Sequence, residues 1–248
     1  TRGTWQFLAG FSLAAAGRLA DAAAELDGAV DELVGHDLIG ARPLALAARG
    51  WVAAQHGDVA TARSLLDRTV EAAAVDGRVA IQVVVADAWC DATEQRGLTA
   101  PGRAKLLEAA SQARAGGQAL TAALVLHELV RLGGATDAAG PIGSLAEAMA
   151  PSWYVTVVRA RAEGEAARDD RVLARVVRQT AERWPLVAAE VTAVRHRQAL
   201  SGGEDPGAPR LAFDAHRWTA SLGRDVPTTL ADLVDPLTAR EREVAVAV

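Results

Sequence analysis

The chain has 248 residues, half of them apolar and 23% charged, with a net charge of −5, the balance of a folded protein and not of a basic nucleic-acid binder. Its one cysteine, Cys90, excludes an internal disulfide framework and suits a reducing cytosol, while five histidines at least 20 residues apart exclude zinc-ligand spacing. No apolar run reaches the ~18–20 residues that a membrane helix needs, so a cytoplasmic protein without a membrane partner is expected.

The opening TRGTWQFLAGFSLAAAG imitates a secretory leader, with Arg2, an apolar middle and small residues after it. It begins with Thr, however, and it fits a repeat. GFSLAAAGRLADAAAELDGAV places Gly10, Gly17, Ala22 and Leu26 at offsets 0, 7, 12 and 16, and GWVAAQHGDVATARSLLDRTV repeats them as Gly50, Gly57, Ala62 and Leu66. A third copy puts Gly97 another 40 residues on, with two extra residues before Ala104. Weaker turns follow near Gly133-Gly134, Asp169-Asp170 and Gly202-Gly203, a spacing within the range of helical-repeat proteins. Each unit is expected to be two amphipathic helices, with a left-handed Gly ending the first. Ala22 and Ala62 let the pair approach closely. Leu19, Ala23, Leu26, Val30 and Leu33 form one apolar stripe, and Val59, Ala62, Leu66, Val70 and Ala73 form its counterpart. Such pairs hide their stripes only against the next pair, so a solenoid of about five to six pairs is expected.

Residues 79–89, VAIQVVVADAW, are β-branched enough for a buried strand, but the period runs across them and favours helix. Asp87, Asp91 and Glu94 then put three carboxylates on one helical face, able to hold a cation or to act as acid and base. No second acidic motif accompanies them, and a solvated face is the ordinary reading. Cys90 has no His or basic residue beside it in sequence and reads as an inert core thiol. Arg171, Arg175 and Arg178 form a basic row within 159–197, where nine arginines face six acids. That row is either an interaction patch for an acidic partner or a mixed-sign solvated surface.

Trp51, Trp89, Trp153, Trp184 and Trp218 are separated by 38, 64, 31 and 34 residues, close to one per repeat with one skipped. They either line a groove that takes a small effector or a partner, or plug gaps between alanine-rich helices. Gly and Pro cluster at 201–209 and again at 223–227, where a linker over 223–235 is expected to begin. Beyond it, PLTAREREVAVAV opens with a T-x-x-E capping box, Thr238 to Glu241, and a Val244/Val248 stripe.

The alanine-rich pairs over residues 1–222 resemble tetratricopeptide-like repeats. The ending resembles the first helix of a LuxR-type helix-turn-helix domain, which commonly starts L-T-x-R-E-x-E-V. Leu237, Thr238, Arg240, Glu241, Glu243 and Val244 match that run. Together they are similar to the large LuxR-family regulators of the maltose-activator type. The resemblance implies a nucleotide-binding ATPase ahead of the repeats and a DNA-binding domain behind them. Residues 236–248 are then the start of that domain, cut short.

No G-x-x-x-x-G-K-[ST] is present, so no cofactor is expected in this stretch, ATP belonging to a preceding domain. The recognition helix is not in the sequence either, so DNA is a partner only through the remainder of the domain. No Ser-His-Asp, H-E-x-x-H or G-x-S-x-G pattern recommends an enzyme. The expectation is thus the sensor or interaction region of a LuxR-family regulator, able to self-associate through uncapped terminal repeats. The alternative is a stand-alone tetratricopeptide-like scaffold for a peptide or protein, its ending a coincidental capped helix.

Overall fold

Left-handed corners divide the chain into short helices. In a computed structural model that describes residues 1–37, 39–72, 77–201, 207–220, 222, 225–231 and 233, the secondary structure is all helical, with no strand among the described residues. The helices follow in order as α1 (Arg2–Ala15), α2 (Leu19–His36), α3 (Arg42–His56), α4 (Val59–Ala72), α5 (Gly77–Glu94) and α6 (Ala100–Ala115). They continue as α7 (Ala119–Arg131), α8 (Ala135–Ala148), α9 (Trp153–Ala167), α10 (Asp170–Thr180), α11 (Pro185–Ser201) and α12 (Ala208–Ala220). A 3-10 turn over Thr228–Leu230 comes after them. The β-branched stretch 79–89 is helical, within α5.

At the first turn Gly17 takes φ +86°, and the amides of Gly17 and Arg18 donate to the carbonyls of Ala14 and Leu13, which satisfies the end of α1. Gly57 at φ +90° and Gly133 at φ +94° repeat the arrangement. The third turn differs from expectation: Arg96 holds the left-handed conformation at φ 55°, and Gly97 supplies the next amide, to Ala92. Arg168, at φ 54°, does the same after α9.

Each helix packs on its successor, and the odd helices from α1 to α9 also pack on the next odd one. The repeat offsets are the contacts between paired helices. A Cβ on Gly10 would stand 2.6 Å from the Leu26 side chain and 3.1 Å from the Ala22 carbonyl. At Gly50 the same neighbours are Leu66, 3.3 Å away, and the Ala62 carbonyl, 3.5 Å away.

The third copy corrects the sequence reading. Ala104 is exposed, whereas Cys90, Gly102 and Leu106 are buried, each 80 residues beyond Gly10, Ala22 and Leu26. The register therefore needs no insertion. Pro101 disguised it by opening α6 behind the Thr99 cap, whose hydroxyl accepts from the Gly102 amide. Val70 is corrected as well: it is 64% exposed, and α4 buries Leu65, Leu66 and Thr69 instead. Thr69 fits there because its hydroxyl donates to the Leu65 carbonyl.

Candidate functional site

The apolar interior is interrupted at its centre by charge. Glu128 and Arg131 come from α7, Arg161 from α9 and Glu190 from α11, and all four are buried. Arg131 donates from Nε to Glu190 at 3.0 Å and from Nη1 to both Glu128 oxygens, at 3.1 and 3.0 Å. Arg161 donates to Glu190 at 2.8 Å and to Glu165 at 2.7 Å. Isolated charges here would be prohibitively costly, and the bonds among them are what permits their burial.

Burial alone would raise the Glu190 carboxyl, but Arg131 and Arg161 outweigh it and hold the pKa at about 2. Glu165 shifts the other way, pushed up by burial against the pull of Arg161. His127 is held well below the ordinary histidine value, first by burial and then by Arg161 and Arg131. It is therefore neutral at physiological pH, with Nε2 lying 3.4 Å from Nη1 of Arg161.

Four of the five repeat-spaced tryptophans gather around this centre. The indoles of Trp51 and Trp89 both donate to one Glu128 oxygen, at 3.2 and 2.7 Å, and the Arg131 guanidinium lies over the Trp89 ring. The Trp184 ring lies 5.0 Å from His127, and Trp153 stacks obliquely on Trp184 at 6.2 Å. Trp218 sits in an adjoining cluster with Leu186, Ala189 and Leu222. Trp51 and Trp89 are core residues and line no open groove; Trp153, at 42% exposure, reaches solvent.

The chain also closes on this centre. The Trp184 indole donates to the Ala15 carbonyl at the end of α1, and Leu186 packs against Gly17. A strap over residues 225–231 crosses the same place: the Thr229 hydroxyl donates to Glu190 at 2.8 Å, Leu230 is buried beside Leu186, and Asp225 approaches His56 at 3.4 Å.

The acidic row has partners. Asp87, Asp91 and Glu94 of α5 all meet Arg63 of α4, Asp91 at 2.6 Å and Glu94 at 3.4 Å, while Lys105 of α6 reaches Asp87 at 2.9 Å. The row is an ion-pair ladder joining three consecutive helices. Among the described residues no group of His, Cys, Asp and Glu is placed to hold a metal ion. Arg63 also lies near Cys90, a basic neighbour that sequence proximity did not reveal. Burial nevertheless prevails and pushes the thiol up to about 11, so it stays protonated.

Arg171, Arg175 and Arg178 are exposed on α10. Of the three, Arg178 lines a cleft of about 720 Å³ between α10, α11 and α12, together with Arg168, Arg195, Arg210, Asp170 and Asp214. The matched residues Leu237, Thr238, Arg240, Glu241, Glu243 and Val244 lie outside the described residues.

Sequence reasoning missed the ion-pair centre because only Glu128 and Arg131 are close in sequence, while Arg161 and Glu190 join them from 30 and 59 residues beyond Arg131. One signal was present: LVLHELVRL and VAAEVTAV are apolar runs interrupted by charge, which a solvated helix face would not produce. No helix is long and apolar enough to cross a membrane among the described residues. Comparison of the chain with protein-family models, with curated proteins and with solved structures finds no match.

Proposed function

We propose that residues 1–222 form a tetratricopeptide-like regulatory region of a LuxR-family transcription regulator, and that residues 236–248 begin its DNA-binding domain. The observation that carries the reading is the run Leu237, Thr238, Arg240, Glu241, Glu243 and Val244, placed after a helical region. Six helix pairs among the described residues, with a 40-residue register across the first three, support the repeat half of it.

Mechanistically, an effector or partner bound by the helices shifts an equilibrium between two placements of the flanking domains, provided that it binds one of them better. The strap suits transmission, because it joins Glu190 at the interior to the chain that continues toward residue 236. Reading the coding sequence past Val248 tests the proposal. Two further helices completing a helix-turn-helix are expected; a stop codon or an unrelated domain there would favour a stand-alone scaffold and overturn the regulator.

A further inference from the structure

We infer that the cleft between α10, α11 and α12 binds a small organic anion. Its charged lining is four arginines against two aspartates, a net charge of +2 in a chain whose total is −5. Asp170 is spent on Arg195, which it receives at 2.6 and 3.1 Å. Arg168 donates to the neutral Ser201 hydroxyl at 3.3 Å. Arg178 on one wall and Arg210 on another are exposed and make no ion pair among the described residues. Arg210 does not even pair with Asp214, one turn further along its own helix.

Two uncommitted guanidiniums facing one concavity suit phosphate or carboxylate, which their planar forks bind through paired donors. Between them lies apolar surface from Ala174, Val177, Ala199 and Leu211, so the occupant has a carbon body as well as acidic groups. A cleft of about 720 Å³ has the capacity of a metabolite site.

The assignment needs no DNA-binding domain, so it stands or falls separately from the regulatory reading. Calorimetric titration of the 248-residue protein with glucose 6-phosphate, citrate and inorganic phosphate tests it, with glucose as the uncharged control. Saturable binding of at least one organic anion, weakened by added salt, is expected. Arg178→Gln and Arg210→Gln each weaken it about tenfold, the double variant abolishes it, and Arg171→Gln, on the same helix but off the cleft, changes it less than about twofold. Both cleft arginines are exposed, and an unchanged circular dichroism spectrum verifies that the variants fold. No saturation at millimolar concentration overturns the proposal, and so does binding that survives the double substitution. Equal affinity for inorganic phosphate, or uptake of a hexaglutamate peptide alone, overturns it too.

Discussion

His127 sits where a proton is least welcome. Burial disfavours its charged form first, Arg161, 3.4 Å from its Nε2, and Arg131 add to that, and Glu190 offsets them only in part. Trp184 and Tyr154 close the remaining sides. The folded state therefore refuses a proton that the unfolded chain takes up below about 6.5, and the stability this represents is present above that pH and lost as pH falls through it. Glu190 contributes in the same direction but in another window, below 4.5 and down to about 2. Glu165, with its folded value raised, opposes both, its contribution growing on acidification. Thermal melts between pH 7.5 and 5.5 should thus show the wild type losing up to ~1.4 kcal/mol per pH unit below 6.5, roughly 2–4 °C, and His127→Gln should flatten that slope. An unchanged slope in the variant would remove His127 from the account. The sequence shows Arg131 one turn after His127, but gives no sign that the run is buried whole or that Arg161 reaches it from α9.

Among the elements, the repeat offsets are tests of close approach. Gly10 allows α2 to lie so near α1 that an added methyl would meet Leu26 at 2.6 Å. Gly10→Ala is expected to cost 1–3 kcal/mol in urea unfolding, since overpacking outweighs the better helix propensity of Ala. At Gly50 an added Cβ would stand 3.3 Å from the end of the Leu66 side chain, a tight contact that a small shift of that side chain relieves, and Gly50→Ala should be neutral within about 1 kcal/mol, propensity and crowding offsetting one another. Equal losses at both positions would mean that the offsets do not report packing distance. The helix pairs and their 40-residue register were legible because a helical period and a turn glycine are local signals. The third copy was misread because Arg96 takes over the left-handed position and Pro101 shifts the apparent start of α6, which are local exceptions. The acidic row shows the opposite limit: its spacing on α5 was plain, but Arg63 and Lys105 arrive from α4 and α6 through packing.

At the scale of the whole molecule, the strap is the last described piece laid down, and Leu230 is its apolar anchor beside Leu186, Ala189 and Ala193. Leu230→Ala should cost about 2–3 kcal/mol locally and release residues 225–231, seen as rapid proteolytic cleavage near Pro227 with helical circular dichroism retained. Loss of the helices along with the strap would show that it is integral to the fold and not a separable latch. Its docking was not foreseeable, since GRDVP reads only as a turn-rich linker and the Glu190 that Thr229 bonds lies 39 residues away.

A row of helix pairs that touch only their neighbours melts from its ends, one unit at a time, and cooperativity fades as the row lengthens. Here Arg131, Arg161 and Glu190 bind α7, α9 and α11 into one knot, while Trp184 ties the close of α1 to the start of α11. Freeing α7, α9 or α11 strands a charge inside the others. These three helices are thereby expected to open together and not one pair at a time.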